Sequence, residues 1–599
     1  MFCSTLGAWR YVAAATVAVS LLLVSGEVAR CETLGQKQRA AAEAVREALQ
    51  REVYGLDEDR CKLLDEAAEK VTDFAPAMWH RGFVRDANNR WIEHTSLVQQ
   101  PQLSAKLASY AKVQAATADT VAGHLTAAAW CGKEGLPDQR RAHLARVLDL
   151  DTDHAATRAE LGFRRINGEW KSEKQLDAEQ QTARAEQISL AKYRTVLEEI
   201  RKGFADDSQA RREAARKRLL AIREIDAIPA MESILSTHGD EAALAVIDNV
   251  SVITDPVASI SLARHAVYHP SLIVREAAVE MLKNRDTFSY VPQLLSMMYT
   301  PVTTQIVTAV LPGGRLGYRH AFVREGQEKK ELLVLDTNYV RIARNGGDRR
   351  ESAARAADQA QTTAAMREAA AQAQNRFTQQ LNDRIGWVLK MVTGEQLPAV
   401  PADWWAWWNN HNEIEQHGEK SLAFVQQQTS VAVVDRVVTG GGLTGGQTSH
   451  ECLVAGTPIW TIGGPRAVET IRVGDMVLAQ DAESGELAYK PVLRATVRPL
   501  GKIIKFVAGG ETFQTSGGHV FWVSGQGWRK SSQLQSGMVL HSIQGPVRVS
   551  TVEPGDDAET YNLIVADFST YFVGDAKILS HDFTQRQATR TIVPGLKQE

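Results

Sequence analysis

Cysteine is scarce in this chain: there are five in 599 residues, none in a CxxC pair. That scarcity excludes a thiolate metal site and a disulfide-held scaffold, and no metal is expected. Cys61 and Cys131 are the two that an oxidising compartment offers for pairing. Excess charge of one sign is also missing. The formal net charge is -3, with no long Lys or Arg run, so neither nucleic acid nor an anionic membrane surface is expected as a partner. Long hydrophobic runs are absent but for one stretch near the start. Arg10 precedes an uncharged apolar run from Val12 to Val24, followed by small and polar residues. This is the pattern of a secretory signal over 1–31, too short to span a bilayer comfortably. The expected result is a secreted, periplasmic or cell-envelope protein with no stable membrane span after signal removal; an uncleaved anchor is the other reading.

A chain of this length outgrows a single core, so several folded units are expected. Residues 34–200 read as successive helices. The run "HLARVLDLDTDHAATRAEL" from His143 divides into two helices at Asp151 to Asp153, which would cap the second, and resembles a tetratricopeptide-type hairpin. Within 205–300 the motif "REAARKRL" at Arg212 returns as "REAAVEML" at Arg275, and Pro229 and Pro292 share that spacing of 63 residues. Each proline opens an apolar segment at a first helical turn, where its missing N–H is harmless. With "DEAALAVI" at Asp240 between the copies, the spacing covers two helix pairs, as in HEAT-like repeats, which present a surface to a protein partner. Residues 303–343 break the helical period with β-rich runs that predict a small antiparallel insertion. Over 350–424 a long helix from Arg350 to Val392 stops at Gly394, and a second one follows Asp403 as N-cap. Its Trp404, Trp405, Trp407 and Trp408 are read as packing residues rather than a carbohydrate platform. The Gly-rich segment 425–450 is a flexible linker.

Beyond the linker the composition turns to short β-runs with turn signals, an all-β domain over 451–582 with a tail at 583–599. Its opening is "CLVAGTPIWTIGGPRAVETIRVGDMVLAQ" from Cys452, its middle "TSGGHVFWVSGQGWRK" from Thr515, and its close "YNLIVADFSTYFVGDAKILSHD" from Tyr561. In that order these resemble the blocks of Hint domains, the self-processing fold of hedgehog proteins and inteins. The fold class expected is therefore multidomain: an all-α helical-repeat (HEAT/TPR-like) region with a small β insertion, then an all-β Hint fold.

The chemistry is coherent from the residues themselves. The thiol of Cys452 is placed to attack the carbonyl of Glu451 in an N-to-S acyl shift, an intramolecular step governed by orientation. A histidine among apolar strands is more often a hydrogen-bonded core residue than a catalyst, but the resemblance assigns His519 the proton transfer to the departing nitrogen. Thr515 or Ser516 would polarise the scissile carbonyl; Ser516 stands where the family usually has Thr. Asp475 reads as a turn residue, and His541 and His450 as surface or linker histidines. The C-terminal junction departs from splicing inteins: His581-Asp582 stands in place of His-Asn, Phe583 has no nucleophile, and Ser569 and Asn562 replace the usual histidine and aspartate. The resemblance thus implies single-turnover self-cleavage at Glu451-Cys452 without a cofactor, the thioester passing to water or to a nucleophilic acceptor. Two alternatives stand beside it: an interaction scaffold with an inactive Hint domain, and full intein-type splicing.

Overall fold

The computed structural model describes residues 34–598 apart from 167, 312–314, 340–348, 413–419 and 432–452. The expected signal, the Gly440 to Gly446 run, His450, Glu451 and Cys452 lie outside the described residues. Helices dominate up to Asn412 and strands from Leu453 onward, giving a helix-rich N-terminal region and an all-β C-terminal one.

The helical region contains two modules with separate cores. The first begins with Leu34–Val53, Asp57–Lys70 and Ala75–His80, continues through Pro101–Ala116, Val121–Glu134 and Pro137–Leu150, and closes with the short helix Ala155–Glu160. Where Asp151 to Asp153 were expected to cap that last helix, His154 does so through its side chain, which accepts from the Thr157 N–H. The second module starts on the 32-residue helix Glu173–Phe204, whose Tyr193, Leu197, Ile200 and Phe204 enter a core with Leu219, Met231, Val246, Leu262, Leu282 and Leu294. The 63-residue spacing is realised in atomic detail there. Arg212 donates to the carbonyls of Asp206 and Asp207, and Arg275 donates to those of His269 and Pro270. Pro229 and Pro292 each sit in the first turn of a short helix that follows a 3-10 turn.

The long helix Arg349–Thr393 ends at Gly394, whose φ of +80° is the left-handed conformation that terminates helices. Its end and the following helix Pro401–Asn412 close the second core. Trp404 and Trp408 are fully buried and Trp405 donates to the Leu295 carbonyl. Asp403 lies inside the first turn of that helix instead of capping it, because Pro401 occupies the opening position. The β insertion is an antiparallel meander, Thr303–Leu311, Arg315–Glu325 and Lys329–Tyr339. A fourth strand, Ser421–Val431, lies parallel to the third, so an ordered strand occupies the first residues of the expected linker.

A repeat not recognised in the sequence appears twice in the first module. The helices Ala75–His80 and Ala155–Glu160 are each followed by a left-handed glycine, Gly82 or Gly162, and then a two-stranded hairpin. In both hairpins an arginine lies over a tryptophan ring: Arg85 on Trp91 at 3.8 Å and Arg165 on Trp170 at 5.6 Å.

The C-terminal region is a 14-stranded sheet in which a bridge between Ile459 and Val573 joins distant parts of the strand path. Four of its longer strands, Met476–Gln480, Val520–Val523, Thr570–Val573 and Ile578–His581, are buried at every position. Alternation explains this, since successive residues of a strand face opposite sides. Val477, Phe521, Tyr571 and Ile578 fill the domain's own core, while Leu478, Trp522, Phe572 and Leu579 belong to a second cluster with Val84 and Leu97 of the first helical module. The sheet therefore carries helical-region residues on its outer face.

The last residues differ from the expected free tail. Thr591–Val593 and Leu596–Lys597 form a hairpin whose Val593 and Leu596 join Ala44, Ala48, Leu49 and Leu64 in one cluster. Cys61 is exposed and Cys131 buried, and both are free thiols, so the pairing considered from sequence is not made. No helix among the described residues is long and apolar enough to cross a membrane.

Candidate functional site

The domain entry is fixed by backbone pairing. Leu453, the first described residue after Cys452, is fully buried and pairs with Thr515 on one side and Tyr561 on the other. Thr515 is fully buried and its hydroxyl donates to the Ser516 carbonyl at 3.1 Å, a carbonyl that also accepts from the Ser531 hydroxyl. Ser516 ends the same strand.

His519 follows on the tight turn after that strand, its N–H directed to the Ser516 carbonyl and its own carbonyl accepting from Ser531. Its Nε2 lies 2.7 Å from the Ser580 hydroxyl. The Ser580 oxygen also lies 3.3 Å from the His581 carbonyl and 3.4 Å from the Val520 carbonyl. Burial brings the imidazole down to about 3, so His519 is neutral at pH 7.

The strand Ile578–His581 pairs with Val520–Val523 through Ser580 and Phe521, so the third predicted block meets the second. His581 Nδ1 lies 2.6 Å from the Asp582 carbonyl oxygen; a carbonyl only accepts, so Nδ1 is protonated and polarises that carbonyl. Burial holds this ring near 3 as well, and the edge of Trp528 meets it at 4.9 Å. Asp582 is enclosed: one carboxylate oxygen accepts from the Val565 N–H at 2.9 Å, the other from the Thr584 N–H at 2.9 Å and hydroxyl at 2.5 Å. Burial nevertheless raises its carboxyl to about 6, because these hydrogen bonds only partly offset the loss of water.

The structure thus brings Thr515, Ser516, His519, His581 and Asp582 to one corner of the sheet, with Leu453 entering it; Glu451 and Cys452 lie outside the described residues. Asn562 lies on the strand bordering Leu453, where its side-chain oxygen accepts from the Tyr571 hydroxyl at 2.8 Å. Ser569 has a positive φ of 53° and its carbonyl accepts the Asp582 N–H. Sequence reasoning passed over Ser580 and Trp528; a hydroxyl directly after the apolar pair Ile578-Leu579 and before His581 is the signal that marks Ser580. A cleft of about 390 Å³ opens beside Trp528, rimmed by Arg529, Lys530, Arg586 and Arg590.

Of two other expectations, the one for Asp475 holds and the one for His541 does not. Asp475 is a turn residue, its carboxylate accepting from the Arg472 N–H and from Arg466. His541, expected at the surface, is fully buried against the helical region. Its Nδ1 lies 2.5 Å from Glu52 Oε1 and its Nε2 2.7 Å from Gln480 Oε1. Sequence alone hid this role because the partner stands 489 residues away.

Residues 458–582 match the family described as Pretoxin HINT domain, a span that begins downstream of Cys452. No curated protein matches the chain. Among solved structures, the bacterial intein-like domain from Clostridium thermocellum is similar at 36% identity, over 22% of this chain and 100% of that one, with a TM-score of 0.22. The gp41-1 intein is similar at 23% identity, over 22% and 100%, with a TM-score of 0.20. The DnaB intein from Synechocystis sp. PCC 6803 is similar at 14% identity, over 22% and 97%, with a TM-score of 0.20.

Proposed function

We propose that the Hint domain at 458–582 cleaves the chain that carries it, at Glu451-Cys452. The observation that carries this reading is the entry strand: Leu453 is bridged between Thr515 and Tyr561, and the strand of Thr515 leads into the turn of His519, whose Nε2 lies 2.7 Å from Ser580. The Cys452 sulfur bonds to the Glu451 carbonyl carbon as the Glu451-Cys452 C–N bond breaks. The thiol proton ends on the released amine of Cys452. A neutral His519 suits this transfer, because it arrives without a spare proton and its free nitrogen can take the one the thiol loses and return it to the departing nitrogen. Water, or an external amine or thiol, then attacks the thioester carbonyl and the Cys452 thiolate leaves, closing a single turnover.

Splicing is the weaker reading. Phe583 is buried and has no nucleophilic atom to accept an acyl group. The signal pattern supports export of the chain, and the HEAT-like second module supports a protein partner for the helical product. The test is intact-mass measurement of the purified full-length chain with and without added thiol. A break between Glu451 and Cys452 that disappears in Cys452→Ala is expected. Uncut chain across pH and thiol conditions would leave the Hint domain a passive scaffold.

A further inference from the structure

We infer that the first helical module, 34–160, is the permanent docking partner of the Hint domain, so that a break at Glu451-Cys452 leaves a two-chain complex instead of releasing the helical product. The inference rests on the proposed scission only for its setting; the contacts that carry it exist in the intact chain.

Two hydrophobic clusters cross from one side of the break to the other. In one, Val84 and Leu97 lie upstream and Leu478, Trp522, Ile543, Phe572 and Leu579 downstream. In the other, Ala44, Leu49 and Leu64 lie upstream and Val593 and Leu596 downstream. Neither is a rim contact. The first supplies the second buried face of the four longer strands that are covered at every position, and a domain released without its partner would turn Trp522, Phe572 and Leu579 to water. A contiguous exposed patch of that kind is characteristic of an interaction surface.

Polar contacts fix the register of the two parts. Glu52 is fully buried and its Oε1 accepts from His541 and from the Ser524 hydroxyl at 2.8 Å, while Oε2 accepts from Arg60 at 2.9 Å. The His541 ring is held between Glu52 and the Gln480 side-chain oxygen, whose amide nitrogen donates in turn to the Gly485 carbonyl. At the periphery Arg141 makes a two-pronged bond to Asp567 at 2.8 Å, and Arg494 pairs with Asp149. Tyr110 and Gln114 both donate to the Val473 carbonyl. That last contact demands glycine at 474: φ is +88°, and a Cβ there would fall 1.7 Å from the Tyr110 oxygen. Apolar centre, one buried charge cluster and a polar rim together match the anatomy of a stable interface.

The test separates cutting from chemistry. A sequence-specific protease site is placed between Gly442 and Leu443 of full-length Cys452→Ala, so failure of the thiol reaction leaves the measurement untouched. After complete cleavage the protein is diluted to about 0.1 µM, a concentration at which a standard-sized interface of nanomolar affinity holds, and run on size exclusion with native mass spectrometry. Both fragments are expected in one peak at the full-chain volume, separating only in denaturant. Two peaks at the separate fragment masses would overturn the inference. As a second measurement, Arg141→Ala in the cut complex is expected to change fragment exchange less than about threefold, as for an exposed ion pair. A hundredfold change there would also overturn it, by placing the attachment at the rim.

Discussion

Replacing Glu52 with glutamine removes one negative charge from a site where Arg60 and His541 are themselves almost fully buried. Glutamine fits the space, but its amide must turn a donor toward either Arg60 or His541, both of which are donors. Burial by itself raises the Glu52 carboxyl, yet His541, and Arg60 after it, pull it down to about 2 from an ordinary 4.5. That depression corresponds to about 3 kcal/mol. Removing one member of a buried pair costs about 3 to 5 kcal/mol by a separate line of experience. The two figures agree in scale. Because a chain with several cores does not unfold in one step, the readout is hydrogen exchange at named amides. The His541 N–H, bonded to the Trp522 carbonyl, and the Gly525 N–H, bonded to Ile592, are expected to exchange about a hundred to a thousand times faster in Glu52→Gln. The sign with pH follows from the lowered pKa. The stabilisation is fully present above about pH 4.5 and is lost as pH falls toward 2, so wild type and variant converge in acid. An exchange difference under threefold at pH 7, or one that grows in acid, would refute the account of the buried cluster.

Substituting His519 by alanine is expected to slow scission at Glu451-Cys452 by about a hundred- to ten-thousandfold, the usual worth of a positioned proton-transfer group, as followed by intact mass over time. Asp582 carries the opposite pH sign from Glu52: its folded carboxyl is raised to about 6, so the proton it holds stabilises the fold below about pH 4 and that benefit is lost as pH rises through 6. Relative to wild type, Asp582→Asn should therefore be more protected at pH 7 than at pH 4, by about 3 kcal/mol, at the Val565 amide that the carboxylate accepts. Equal differences at the two pH values would show that Asp582 is charged in the fold throughout.

Local signals in the sequence reached the structure well. The proline and arginine spacings at 212, 229, 275 and 292 recur as matching arginine-to-carbonyl bonds and first-turn prolines because such chemistry is decided within a few residues. The Gly394 stop and the packing role of the tryptophans were legible for the same reason. The order of the blocks placed Thr515, His519 and His581 in one domain, and the pairing of Ser580 with Phe521 brings two of those blocks into contact. What sequence could not carry was anything set by distant partners. His541 gives no local hint of Glu52, and the runs "VFWV" and "TYFV" announce burial on both faces without naming what covers the second. The boundary between helical modules was hidden too, since a chain of helices does not record which ones share a core.

The duplicated helix, glycine and hairpin has a mechanical meaning. One copy places Val84 against the Hint sheet, and Tyr489 donates to the carbonyl of His94 just past it. The other brings Gly168 so near Phe424 that a side chain on it would overlap the main chain, and Lys329 reaches Glu169 across the same seam. A single small part thus serves as the coupling at both ends of the first module, toward the processing domain on one side and the four-stranded sheet on the other.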